Sequence, residues 1–229
     1  MKKIKICAIS DTHNLHEGIK IPKCDILIHC GDMTGMGTDP ELNNFFNWFA
    51  EQDKATYKVC IAGNHDYGCQ RRGWKNPRPD KVIYLQDNGI ELFGIKIWGT
   101  PWTPYFYDWA FNGLTCNLAN VNYPGGPGFN AKPDDKHPLL ESKYDLIPLD
   151  TNIIICHGPI HKYFDMTREK LNVGSVEMGF RFSHVVAHTE GNTSYFCGHI
   201  HEAHGMIEYK QNYVIANCSS TTRDYKLRE

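Results

Sequence analysis

Seven side chains of metal-binding type, Asp11, His13, Asp32, Asn64, His157, His199 and His201, each stand just beyond an apolar run of strand character. Asp11-Thr12-His13 follows Ile4 to Ser10, and Gly31-Asp32 follows Asp25 to Cys30. Gly63-Asn64-His65-Asp66 follows Lys58 to Ala62, His157-Gly158-Pro159 follows Asn152 to Cys156, and Gly198-His199-Ile200-His201 follows Tyr195 to Cys197. Loops beyond the carboxyl ends of strands are where α/β folds collect their ligands, so five such loops aimed at one point could surround two metal ions. Asp11 offers a hard oxygen, Asn64 a neutral amide oxygen, and a carboxylate such as Asp32 can bridge two cations with its two oxygens. With four imidazoles added, the set suits Mn, Fe, Zn, Co or Ni better than Ca or Mg. Two such ions about 3.5 to 4 Å apart lower the pKa of a shared water, polarise a phosphoryl oxygen and stabilise in-line displacement. Hydrolysis at phosphorus is the expected reaction.

The elements that must position these donors alternate in the first third of the chain. The stretch Asp39 to Phe49 opens with an N-cap and Pro40 in its first turn, and it places Leu42, Phe45, Phe46 and Phe49 at helical spacing. This predicts a crossover helix with one buried face. Strands are expected at 58–62 and 81–86, followed by a hairpin of 90–93 with 95–98 about Gly94. From Pro101 to Pro148 the sequence turns aromatic and rich in Pro and Gly, loosest at Tyr123 to Gly128. It reads as a long insertion at about 101–150, and long loops in compact domains often cover functional sites. Regular structure resumes at Asn152, with a helix over 175–188, a hairpin around Gln211-Asn212 and a last strand over 213–218. Crossovers first and hairpins later predict a single α/β domain over 1–229, with two mixed β-sheets packed as a sandwich and flanked by helices.

Composition narrows the partners. The 229 residues, 41% of them hydrophobic, suffice for a substantial core. Lys and Arg number 24 against 26 Asp and Glu, which argues against broad attachment to nucleic acid or anionic lipid by bulk charge. No stretch reads as a secretory h-region or approaches the ~18 apolar residues of a membrane span. Nine cysteines, an odd number without a Cys-x-x-Cys pair, suit a reducing, cytoplasmic setting. Cys30, Cys156 and Cys197 adjoin the motifs, but without paired spacing they read as small core residues at strand ends and not as zinc thiolates.

The five motifs, in this order, resemble those of the calcineurin-like metallophosphoesterase superfamily; any one of them alone would be weak. The resemblance covers most of the chain and implies the four-layer fold of that superfamily. It also implies that Asp11, His13 and His201 hold one ion, that Asn64, His157 and His199 hold the other, that Asp32 bridges them, and that His65 is not a ligand. His65 is then the expected catalytic acid for the departing oxygen, a role usually contributing about 10² to 10⁴ in rate. Asp66 could orient it but is left without a role. A closer likeness, carried by Ser10 to His13, Ile61 to His65, Ile83 to Asp87, Trp98 to Pro104 and Trp109 to Asn112, is to the MPPED-type metallophosphoesterase-domain family. That family implies phosphodiester hydrolysis, with broad activity on model diesters and cyclic nucleotides and with Mn favoured in vitro. Some vertebrate members have Gly for the first His of Gly-His-x-His and are nearly inactive, holding a nucleotide instead. This chain keeps His199, so an active enzyme is expected. A phosphomonoesterase or phosphoprotein phosphatase with the same centre is the alternative within enzymes, and a silent metal-dependent binding module the alternative outside them.

The expected partner is a small phosphodiester or nucleotide, with a nucleic acid end less favoured; nothing speaks to oligomeric state. For substrate contacts, Arg71 and Arg72 open a basic run that ends at Arg78; it is either a solvated loop or an attraction for the anionic ester. Trp98, Trp102, Tyr105, Phe106, Tyr107, Trp109 and Phe111 either pack the insertion on the body or leave one or two of their number, Trp102 among them, to line the substrate. His29, His137, His161, His184, His188 and His204 read as surface or satisfied core residues, while His16 and Asn14 stay open.

Overall fold

The computed structural model describes residues 3–71, 73–115, 132–209 and 213–228. Strands β1 (Ile6–Ile9), β2 (Cys24–Cys30), β3 (Ala55–Ile61) and β4 (Ile83–Tyr84) pair in that order as a wholly parallel sheet. Strands β5 (Asn88–Leu92) and β6 (Ile95–Thr100) form the expected hairpin. Next in the chain come the short pair β7 (Thr103–Pro104) and β8 (Asn112–Gly113) within the insertion. With β9 (Ile153–Cys156), β10 (Ser194–Cys197), β11 (Gly205–Tyr209) and β12 (Tyr213–Asn217), the hairpin completes a mixed sheet ordered β11-β12-β10-β9-β6-β5. The antiparallel pairing of β11 with β12 agrees with the terminal hairpin, whose turn at Gln211-Asn212 lies outside the described residues, as do Tyr123 to Gly128.

Strand alternation explains why the sheets stack. In β2, Ile26, Ile28 and Cys30 join Val59 and Ile61 of β3 against Ile97 of β6 and Ile153 and Ile155 of β9, an apolar layer between the two sheets. The intervening Leu27 and His29 face outward to helix α1 (Asp39–Ala50), where Phe45 and Phe49 lie 4.8 and 6.2 Å from the His29 ring. Thr38, not Asp39, caps α1; its N–H donates to Glu41 at 2.9 Å in a capping box, an arrangement usually worth about 1 kcal/mol. A four-residue α2 (Tyr67–Gln70) follows β3, and α3 (Leu140–Tyr144) packs on α4 (Val176–His188). On the outer face of the mixed sheet, Phe182 of α4 meets Tyr195 at 5.7 Å. The layers therefore run helix, sheet, sheet, helix, as the two-sheet α/β reading expects. Among the described residues no helix is long and apolar enough to cross a membrane.

This topology brings the donors to one end. β1, β2 and β3 run parallel and release Asp11, Asp32 and Asn64 together, while parallel β9 and β10 release His157 and His199. Ser10 pairs with Ser219 just past β12, and Ser220 N–H donates to the Ser10 carbonyl at 2.8 Å. That link joins the two sheets beside the donors.

Candidate metal centre

Tight turns bend four of the seven donors inward. Asp11, His13, Asp32 and His199 have φ of 54, 42, 55 and 69°, a left-handed conformation uncommon for residues with a Cβ and concentrated at functional sites. Backbone bonds hold it: Asp11 N–H donates to the Gly31 carbonyl at 2.9 Å and His13 N–H to the Asp32 carbonyl at 3.1 Å. Gly63 permits the closest approach, because a Cβ there would run into Asp32 and the His157 ring.

All seven predicted donors converge. His157 Nε2 lies 3.0 Å from Asn64 Oδ1 and 3.3 Å from Asp32 Oδ2, and His13 Nε2 lies 3.7 Å from the same Asp32 oxygen. His201 Nε2 is 3.1 Å from His13 Nε2 and 3.4 Å from Asp11 Oδ1. Ligand atoms of Asp11, His13 and His201 lie within 4.8 Å of one another, as do those of Asp32, His157 and His199, and those of His13, Asp32 and His65. Three imidazoles are fixed from behind: Nδ1 of His13, His157 and His201 faces the carbonyls of Thr34, Cys30 and Thr222 at 3.2, 2.8 and 3.0 Å. A carbonyl only accepts, so each Nδ1 carries the proton and each Nε2 turns inward toward carboxylate, amide oxygen or another Nε2. Those contacts are sound only when a cation or a second proton lies between them. The donor chemistry thus fits divalent cations.

Protons can also take these places. At His157 burial opposes the charge, but Asp32, by charge and hydrogen bond, raises the ring to about 9. At His201 burial is likewise outweighed by the hydrogen bond and charge of Asp11, to about 8. Both carboxylates are held below the ordinary range against burial, Asp11 by His201 and Asp32 by His157. Burial, joined by the His157 charge, lowers His199 to about 3, and burial also lowers His13.

Residues behind the donors explain the rigidity, and the sequence reading left them without roles. Asp66 does not orient His65. Its buried carboxylate accepts from Met33 N, Thr34 N, Thr34 Oγ1 and Gly63 N at 3.2, 3.0, 2.7 and 2.9 Å, tying the Asp32 and Asn64 loops together. Burial and then the Asp32 charge push Asp66 up to about 6 despite these donors. His29 accepts Gly31 N–H on Nδ1 at 3.3 Å and so donates from Nε2 to Thr12 Oγ1 at 3.1 Å, joining the first two loops. After β12, Ser219 Oγ donates to Asp11 Oδ2 at 2.8 Å and Thr221 Oγ1 to the Asp11 carbonyl at 2.8 Å. The run Ser219-Ser220-Thr221-Thr222 at a strand end was the available signal.

A cavity of about 310 Å³ opens over Asp32, Asn64, His65, His199 and His201. Its lining also includes Pro104, Tyr105, Phe106 and Trp109 from the segment after β6, and Glu169, Glu202, Arg223 and Tyr225. Neither Trp102 nor Arg71 lines it. The Trp102 indole N–H donates to Asp87 at 2.8 Å and its ring packs on Phe111, so it is buried core. Arg71 is committed to Asp39, and Arg72 lies outside the described residues. Of the aromatic segment, Tyr105, Phe106 and Trp109 line the cavity, whereas Trp102 and Phe111 are packed in the core. Cys30, Cys156 and Cys197 are buried in the core at the strand ends.

Two packed sheets deliver carboxylate, amide and imidazole donors to one open cavity, an arrangement suited to a metal-dependent phosphoesterase. The calcineurin-like phosphoesterase family model matches residues 4–203, and the chain belongs to that family. It is 31% identical to Metallophosphoesterase domain-containing protein 1 of Homo sapiens over 248 residues, covering 97% of this chain and 68% of that protein. UPF0046 protein T07D4.2 of Caenorhabditis elegans is 28% identical over 233 residues, covering 88% of this chain and 52% of that protein. Superfamily and MPPED-type likeness both hold.

A cation held by His157 and His201 would have to displace protons, because the neighbouring carboxylates raise both rings above 6.5. Calorimetric titration with Mn²⁺ in buffers of different ionisation enthalpy is expected to show proton release at pH 7 and an apparent affinity that rises as pH climbs toward about 9. A flat affinity without proton release would contradict this competition.

Proposed function

We propose that this chain is a phosphodiesterase working through two divalent cations, with Asp11, His13 and His201 on one, Asn64, His157 and His199 on the other, and Asp32 between them. The inward Nε2 atoms of His13, His157 and His201, facing Asp32, Asn64 and one another, are the observation that carries the reading. Asp32 Oδ2 lies 3.7 Å from His13 Nε2 and 3.3 Å from His157 Nε2, and Oδ1 accepts the His65 N–H at 2.8 Å, so Asp32 stands between the two groups and would be shared by cations held there. When bound, the cations supply Lewis acidity and a water of lowered pKa. Mn is the favoured ion for assay, with Fe, Zn, Co and Ni compatible with the same donors.

The chain's own residues do the rest. His65 donates Nδ1–H to the Gly35 carbonyl at 2.8 Å, which directs Nε2 away from that bond as the proton carrier for the departing oxygen. Its ring meets His13 edge to face at 4.6 Å and Trp109 at 4.3 Å, contacts that hold the imidazole in place. The lining favours a singly charged diester over a doubly charged monoester. Beyond the metal donors it carries two acids, Glu169 and Glu202, against Arg223, and Arg223 is paired with Glu169 at 3.1 Å. A cavity of about 310 Å³ over the metal donors is also in keeping with a small diester. A small or nucleotide diester in a reducing cytosol completes the reading, supported by eight free cysteines among the described residues.

With Mn²⁺ present, bis(p-nitrophenyl) phosphate should be turned over with a larger kcat/KM than p-nitrophenyl phosphate; preference for the monoester would reverse the assignment. His65→Ala should retain both metals yet lose about 10² to 10⁴ in kcat on diesters with alkoxide leaving groups. The loss should be much smaller for p-nitrophenolate, which departs without a proton. Metal loss in that variant would make His65 a ligand, a role its distances to His13 and Asp32 also permit.

A further inference from the structure

The segment after β12 reaches the mouth of the metal centre, and its Tyr225 does something packing does not require. Tyr225 lines the cavity with Asp32, Asn64 and His65, yet is 49% exposed, so burial of its ring is not what places it there. The ring meets His13 at 4.7 Å and His201 at 5.5 Å, both edge to face, and stands 6.4 Å from His65. Its φ of 54° is a left-handed conformation that disfavours a bulky residue.

A tight bracket holds that conformation. Tyr225 N–H donates to the Thr222 carbonyl at 2.9 Å, Thr222 N–H to the Lys226 carbonyl at 2.7 Å, and Lys226 N–H to Thr222 Oγ1 at 3.3 Å. The chain closes behind it through the Thr221–Leu227 bridge and through Arg228, which donates to the Ser219 carbonyl at 3.1 Å and to the His201 carbonyl. The same Thr222 carbonyl accepts Nδ1–H of His201. The turn that strains Tyr225 is thereby registered directly on a metal donor. No partner for the Tyr225 hydroxyl is found among the described residues. Strain held in place beside a reacting centre, with a donor left over, is what a preorganised contact needs.

We propose that Tyr225 is a substrate-contacting residue, its phenol donating a hydrogen bond to a phosphoryl oxygen of the ester bound at the metal centre. The proposal rests on the phosphoesterase site described above. It gives the segment after β12 two tasks, support of Asp11 and His201 from behind and contact with substrate in front. The phenol donates a hydrogen bond and keeps its proton, so His65 remains the acid.

Tyr225→Phe retains the ring against His13 and His201 and removes only the donor. Manganese content and affinity are expected to match the wild type. The Kd of the Mn-loaded protein for inorganic phosphate, by calorimetry, should rise about tenfold, and kcat/KM for bis(p-nitrophenyl) phosphate should fall about tenfold or more, as for a lost hydrogen bond to a charged group. A phosphate Kd within about twofold of wild type would overturn the proposal. So would loss of manganese, which would make Tyr225 a support for its two histidines. Wild-type protein that hydrolyses neither ester would defeat the functional reading instead, and the phosphate titration would still decide the role of Tyr225.

Discussion

Three imidazoles pinned by their Nδ1 atoms to backbone carbonyls, with their Nε2 atoms driven together around Asp32, set the terms for everything near them. Each carbonyl of Thr34, Cys30 and Thr222 can only accept, so His13, His157 and His201 keep the Nδ1 proton on the backbone side and turn Nε2 toward the centre. Asp32 is 2% exposed at the centre of this arrangement. A buried carboxylate among inward lone pairs is tolerable only with positive charge between them, because desolvation of an uncompensated charge costs several kcal/mol. Protons on His157 and His201 meet that need in part; divalent cations, which these donor types suit, would meet it as well.

The fold can be understood as the apparatus that maintains this convergence. Parallel strands in two sheets bring five loops to one end, and the inter-sheet apolar layer fixes the distance between them. Left-handed backbone at four donors and the close approach at Gly63 turn the side chains inward. Asp66, His29 and Ser219 then lock loop to loop. None of these three lines the cavity, yet each holds a donor or the loop that carries one.

The donors were readable in the sequence because each follows a strand, and strand ends in an α/β fold are where ligands gather. The helix over α1 and the hairpin of β5 and β6 were equally readable, from a 3.6-residue apolar period and from Gly94. What was hidden depends on contacts between distant segments. Asp66 is adjacent to His65 in sequence but faces Thr34, and Trp102 looked like a stacking residue until Asp87 and Phe111 took its two ends. Arg71 sits close to His65 in the chain but is held by Asp39, and the cavity's cation is Arg223, more than 150 residues away in the chain. The segment after β12 carries no apolar periodicity, so its return across the metal centre leaves only a run of hydroxyl residues as its trace.

The claim on which the rest depends is that these donors hold two cations with Asp32 between them. A crystal of the Mn-loaded protein, measured at the manganese absorption edge, tests it most directly. The account predicts two anomalous peaks about 3.5 to 4 Å apart, both within bonding distance of Asp32, with His65 bound to neither. A single peak, or two peaks with His65 ligated and Asp32 attached to only one of them, would contradict it.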